Sequence, residues 1–164
     1  MTIATPRPLR DAPELAAILA FLGDVGIATL ARPLPGDTVL PGMTVVGGTL
    51  CYDPARAGWV GDLLHEAGHI AVGDPHTRAA QTAVADDPAE EMAAICWSYA
   101  AAFAIGLPVT TLFHSGYRDS PDYLIDAFAR GHAIGLPMLR YWGLARRADE
   151  PGPPYPVLRR WLRR

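Results

Sequence analysis

Cysteine is scarce in this chain. Cys51 and Cys96 are the only two, 45 positions apart. They form neither a C-x-x-C pair nor a secreted-type framework, which excludes a disulfide scaffold and leaves two reduced, buried thiols as the expectation. Positive charge is short as well: 14 Lys and Arg face 17 Asp and Glu, a net of -3. That balance argues against a general nucleic-acid binder, so no nucleic acid is expected as a partner. Long apolar runs are missing too. Gly, Pro or charge interrupts every window before the ~18 apolar residues that a membrane span needs, so no membrane partner is expected. The first residues carry Arg7 and Arg10 around Pro-containing sequence and lack the apolar core and small-residue cleavage site of a signal peptide. A cytoplasmic location is the expectation.

What remains is a globular composition, 50% hydrophobic and 19% charged. It is far from the low-hydropathy, high-charge signature of disorder. A chain of 164 residues suits one domain, residues 1–164, able to bury roughly two-thirds of the surface its unfolded form exposes. Arginines crowd one end of the sequence: Arg159, Arg160, Arg163 and Arg164, with Arg146 and Arg147 not far before. The simple expectation for them is a solvated helix end whose cations complement the macrodipole. Contact with an acidic partner is the alternative.

Punctuation by Gly and Pro divides the chain. Asp11 is placed to cap a helix starting near Ala12-Pro13, with Leu15, Ile18, Leu19 and Leu22 at helical spacing. Residues 31–48 are rich in Pro and Gly and leave room only for short strands. Thr44–Val46 and Thr49–Tyr52 are the candidates, joined by Gly47-Gly48 as a hairpin turn. A helix over about 59–72 follows, stopped by Gly73-Asp74-Pro75. Further helices are expected at 77–85, from Pro88 to Ile105, and at about 121–131, 137–145 and 155–163. Ile-Gly-Leu-Pro occurs at 105–108 and again at 134–137, and is read as two similar helix exits. The fold class is therefore α+β, helix-rich, with a small antiparallel sheet ahead of the central helix and additional C-terminal helices.

The chemistry concentrates in His65-Glu66-Ala67-Gly68-His69. Histidines four apart on a helix stand one turn above each other, so both imidazoles can reach one ion at ~2.0 to 2.1 Å. Glu66, one residue along, flanks the ion without ligating it and can take a proton from bound water as a general base. The cofactor expected is Zn2+. A catalytic zinc takes three protein ligands, and Glu91 and Glu90 are the candidates for the third, ahead of His76, His114 and His132. Asp87-Pro88-Ala89-Glu90 has the form of a capping box, which gives Glu90 a structural task. Met92, Ile95, Cys96, Tyr99 and Phe103 centre an apolar stripe that lies about a quarter-turn from Glu91 and nearly opposite Glu90. Glu91 is thus favoured and Glu90 is the alternative. Further on, Phe113-His114-Ser115-Gly116-Tyr117-Arg118-Asp119 forms a polar and aromatic cluster. His114, Tyr117 and Arg118 are candidates for oxyanion or substrate contacts, and Asp119 or Ser120 is expected to start the helix at Pro121.

Leu64-His65-Glu66-Ala67-Gly68-His69, with Glu91-Met92-Ala93-Ala94-Ile95-Cys96-Trp97-Ser98 downstream, resembles the H-E-x-G-H and E-x-x-A-x-x-F-A pattern of ImmA/IrrE-type zincin metallopeptidases. The resemblance covers about residues 40–105. It implies a minimal zincin-like, gluzincin-type core over about 12–105, with residues 106–164 as a helical extension. It also implies zinc-dependent peptide hydrolysis with Glu66 as base, a peptide or protein substrate, and Glu91 as the ligand in register. Ile95 stands where such proteins often carry a polar residue four after the glutamate, so the partner orienting a ligand histidine is left unidentified. Two functions follow as expectations: a zinc metallopeptidase, or a non-catalytic zincin-like module that engages a protein partner.

Overall fold

A computed structural model describes residues 5–118 and 120–164. Strand β1 (Arg7–Pro8) leads through a short 3-10 turn into α1 (Leu15–Asp24), whose Ile18 and Leu22, one turn apart, are fully buried. Asp11 sits inside that 3-10 turn and Glu14 precedes the helix without a side-chain cap, so the expected capping by Asp11 does not occur.

Three short strands follow: β2 (Thr29–Ala31), β3 (Met43–Val46) and β4 (Thr49–Tyr52). β4 is central. β3 pairs with it antiparallel, from Met43 opposite Tyr52 to Val46 opposite Thr49, while β2 runs parallel to it, with Thr29 opposite Leu50. The sheet is therefore mixed rather than purely antiparallel; β2 is too short for its alternation to show in the sequence. Gly47 and Gly48 have φ of 58° and 72°. A two-residue hairpin turn of type I′ needs both central residues at positive φ, which glycine adopts without a steric penalty. A separate antiparallel pair joins β1 to β5 (Ala57–Gly58).

The remaining elements are helices: α2 (Asp62–Val72), α3 (Pro88–Ile105), α4 (Val109–Leu112), α5 (Pro121–Ala129) and α6 (Leu136–Tyr141). This is a helix-rich α+β fold. Pro88 opens α3, Asp87 caps it by accepting from the Ala89 amide at 2.8 Å, and Gly106 ends it at φ 69°. Ser120 precedes α5 with no side-chain cap, and Asp119 lies outside the described residues. The helix expected over 77–85 is a single 3-10 turn, Arg78–Ala80. The repeated Ile-Gly-Leu-Pro also divides in use: at 105–108 it ends α3, but at 134–137 it opens α6.

Residues 155–163 form no helix. Their backbone partners lie elsewhere: the Arg163 amide donates to Ala71 at 2.9 Å, and Trp161 accepts from the Trp97 indole at 2.9 Å. Trp161 stands edge-on to both Trp97 and Phe21. The Arg163 guanidinium donates to the Val72 carbonyl at 3.2 Å and covers the Trp142 ring at 4.4 Å. Arg78 donates to Ile70 and Gly73 from the other side, at 2.9 and 3.1 Å. Two arginines thus satisfy the orphan carbonyls at the end of α2. Because this segment is not helical, the reading of the terminal arginines as a solvated helix end fails: Arg163 is engaged within the fold, and Arg164 is simply exposed. One buried apolar cluster runs from Leu9 to Leu158, and no helix among the described residues is long and apolar enough to cross a membrane.

Candidate metal centre

All 11 residues of α2 are buried, and four of them, Asp62, His65, Glu66 and His69, are polar or charged. A helix enclosed on every side is normally apolar throughout, because a polar group taken from water costs free energy unless it finds a partner. The partners of these four residues therefore define the site.

Gly68 and α3 create it. A Cβ on Gly68 would lie 3.2 Å from the Ala94 Cα and 2.8 Å from its carbonyl oxygen, the latter closer than real Cβ atoms come to backbone. Glycine lets the two helices touch. His65 stands one turn before Gly68 and Glu91 one turn before Ala94, so this crossing sets the carboxylate over the histidines. His65 Nε2 and His69 Nε2 are 3.1 Å apart, with Glu91 Oε1 3.3 Å from the first and Oε2 3.0 Å from the second.

Four atoms of three side chains face one another, the two Nε2 atoms and the two Glu91 oxygens, with separations of 3.0 to 3.3 Å between the imidazoles and from each imidazole to one oxygen. A tetrahedral ion with ligands at ~2.0 to 2.1 Å has ligand–ligand edges of about 3.3 Å. The arrangement fits a metal. Glu66 also belongs to the cluster, since its carboxylate and the two imidazoles offer ligand atoms within 4.8 Å of one another. His65, Glu66 and His69 could therefore hold an ion. Glu91 approaches the imidazoles more closely than that outer limit, and the 3 Å contacts make it the better-placed carboxylate.

The electrostatics follow from the same packing. Burial opposes a charged His65, yet Glu91, Glu66 and Asp62 together outweigh it and raise the imidazole above its ordinary value. Burial pushes the Glu66 carboxyl up, opposed by His69 and His65. Hydrogen bonds from His65 and His69 hold Glu91 well below the usual carboxylate range.

Glu90 is placed differently. Its carboxylate lies 3.9 Å from the Arg163 guanidinium, so its task is an ion pair with the tail rather than the expected return to the Asp87 amide. The expected apolar stripe of α3 is also not one-sided: Phe103 and Met92 are exposed, whereas Ala93 to Ser98 and Ala100 to Ala102 are buried. Among the other histidines, His76 is exposed beyond the end of α2, and His132 lines a second, apolar cavity with Met92, Ile95 and Phe128.

The cluster after α4 divides. Tyr117 reaches the site, its hydroxyl 2.9 Å from His65 Nδ1. Arg118 is exposed at the mouth of a small open cavity lined also by Leu40, Asp62, His65, Glu91 and Tyr117. His114 is turned away from the expected oxyanion role: it is buried, bonded through Nε2 to Asp62 Oδ1 at 2.8 Å, and stacked on Trp59 at 4.2 Å. Asp62 and Trp59 escaped sequence reasoning. The only signal was Asp62 lying three residues before His65, on the same helix face.

No protein-family model matches this chain, and neither a curated protein nor a solved structure matches it.

Proposed function

We propose that the protein is a zinc-dependent hydrolase, most simply a peptidase, in which His65, His69 and Glu91 hold the ion and Glu66 is the general base. One observation carries this reading: Nε2 of both histidines and the Glu91 carboxylate converge within 3.0 to 3.3 Å at the wall of an open cavity. The donor set of two imidazoles and a carboxylate suits zinc, as does the resemblance of the motif to ImmA/IrrE-type peptidases. When bound, the ion supplies Lewis acidity and brings its water's pKa toward ~7.

The chain's own residues do the rest. Glu66 accepts a proton from the attacking water on its carboxylate oxygen and returns it to the leaving amine nitrogen. Burial favours this exchange, because a desolvated carboxylate holds a proton more readily than an exposed one. Arg118 and Tyr117 line the cavity where a carbonyl oxygen would gain charge, and are the donors available to it. β3 is an edge strand of the sheet, and Leu40, bridged to Met43 just before it, reaches the cavity. An extended peptide laid along that edge would place a backbone carbonyl near the histidines. Of the arginines that motivate the binding-module reading, Arg163 is engaged within the fold.

The test compares zinc-loaded wild type with Glu66→Gln on a mixed peptide library read by mass spectrometry. Cleavage by wild type, reduced roughly 10²-fold or more in the variant at equal zinc content, supports the reading. Equal cleavage by both refutes the role of Glu66; no cleavage by zinc-loaded wild type refutes the peptidase.

A further inference from the structure

A metal-ligating imidazole works best when its other nitrogen is held, because the partner fixes both tautomer and ring plane. The two histidines differ in this respect. Among the described residues His69 Nδ1 is buried without a hydrogen-bond partner, whereas His65 Nδ1 meets the Tyr117 hydroxyl at 2.9 Å. A ligand using Nε2 carries its proton on Nδ1, and a hydroxyl oxygen can accept it.

Tyr117 is itself held closely. Its ring stands edge-on to His65, Phe113 and His114, with centroids 5.7, 5.2 and 5.7 Å away. The segment carrying it is latched to the motif helix. The Gly116 amide donates to His114 Nδ1 at 3.2 Å, which makes that nitrogen an acceptor and places the imidazole proton on Nε2, facing Asp62 Oδ1 at 2.8 Å. His114 stacks flat on Trp59, and a Cβ on Gly116 would come within 2.7 Å of the Trp59 indole nitrogen. The chain passes the indole at a distance only glycine allows. Asp62 lies one turn before His65 on α2, so a single helix provides both the anchor of the latch and the imidazole that the latch orients.

We propose that Tyr117 is a positioning residue for His65, and that the Asp62–His114 hydrogen bond delivers it, so that residues 113–118 set the metal affinity of the site. This rests on the zinc reading above. Tyr117→Phe removes the hydroxyl and leaves the ring packing in place. With His69 Nδ1 already unpartnered, both ligand imidazoles would then lack support.

The experiment measures zinc affinity by chelator competition, and the melting temperature of the metal-free protein, for wild type, Tyr117→Phe, His114→Gln and the double variant. The expected result is a roughly 10- to 100-fold rise in Kd for Tyr117→Phe with an unchanged metal-free melting temperature. A purely structural tyrosine would instead lower the melting temperature. In the His114→Gln background the added effect of Tyr117→Phe should shrink, because the tyrosine is no longer delivered; full additivity would overturn the latch. An unchanged Kd in Tyr117→Phe overturns the positioning role while leaving the ligands intact, whereas a wild type that takes up no zinc overturns the ligand assignment itself.

Discussion

Gly68→Ala tests whether the contact between α2 and α3 builds the site. Two opposite effects compete in this substitution. Alanine is the better helix former by about 0.8 to 1.0 kcal/mol, which alone would stabilise the protein. Against it, the new methyl would lie 2.8 Å from the Ala94 carbonyl oxygen, where ordinary contact begins at 3.4 Å. Relief requires about 0.6 Å of movement by backbone rather than by a flexible side chain. Overpacking of this kind costs about 1 to 3 kcal/mol, so the sum is a loss of about 0 to 2 kcal/mol. For a chain this long, 1 kcal/mol shifts the melting temperature by about 2 to 4 °C.

The second consequence is sharper. Metal sites tolerate ligand displacements of only about 0.2 Å, and the shift would carry Glu91 from His65 and His69 by more than that. Zinc affinity should fall at least roughly tenfold, or about 1.4 kcal/mol. Gly23→Ala is the control, since Gly23 lies in α1 with nothing within 4 Å of its notional Cβ. It should gain up to about 1 kcal/mol from propensity and leave zinc binding untouched. Thermal melts of both metal-free variants, with chelator competition for zinc, decide the matter. If Gly68→Ala gains as much stability as Gly23→Ala and binds zinc like wild type, the close crossing does not position Glu91.

Three further outcomes are expected. Purified wild type should hold about one zinc per chain, and the His65→Ala, His69→Ala double variant none; retained zinc in that variant, by elemental analysis, would refute the ligands. Arg163→Ser should cost about 1 to 2 kcal/mol through the lost bond to Val72 and the lost contact with Trp142, whereas Arg164→Ser should cost nothing measurable in the same melt. Cys51 and Cys96 should resist thiol reagents at pH 8 until the protein unfolds, since both are buried and burial pushes the Cys96 thiol up to about 11; prompt labelling of the native protein would refute their burial.

Local signals were legible where the chain satisfies its own backbone. Gly47-Gly48 and Gly106 fix a turn and a helix end through positive φ, Asp87-Pro88 fixes a helix start through a side-chain cap, and each stands where the sequence places it. The α2 stop at Gly73 belongs with them, its amide donating to His69 at 3.0 Å. The errors share the opposite cause. A helix is expected over 155–163, but the Arg163 amide and the Trp161 carbonyl bond to α2 and α3, more than sixty positions away, and the Arg159 and Arg160 amides go to Leu144. Residues 77–85 likewise give up a helix: Arg78 is drawn to the end of α2, and the Gln81 carbonyl accepts from the Gly47 amide at 2.6 Å. Propensity is a weak prior against such long-range bonds.

The third carboxylate shows how a sequence argument can favour a residue for an incomplete reason. Periodicity favours Glu91 as nearer the buried face and Glu90 as turned to solvent. The burial is the reverse: the side chain of Glu90 is 14% exposed and that of Glu91 37%. α3 is enclosed on nearly every side over 93–102, so no apolar stripe exists from which to measure a face. Exposure in its first turn depends instead on what lies over it, and Arg163, arriving from the tail, covers Glu90. Glu91 borders a cavity, and the proposed role as ligand to a substrate-accessible ion would require part of its surface to stay open. Burial is therefore the wrong criterion for choosing a ligand at a helix start. The sounder criterion lay in the small residues, Gly68 and Ala94, whose close approach fixes the register of the two helices and leaves Glu91, one turn back, the carboxylate set against both histidines.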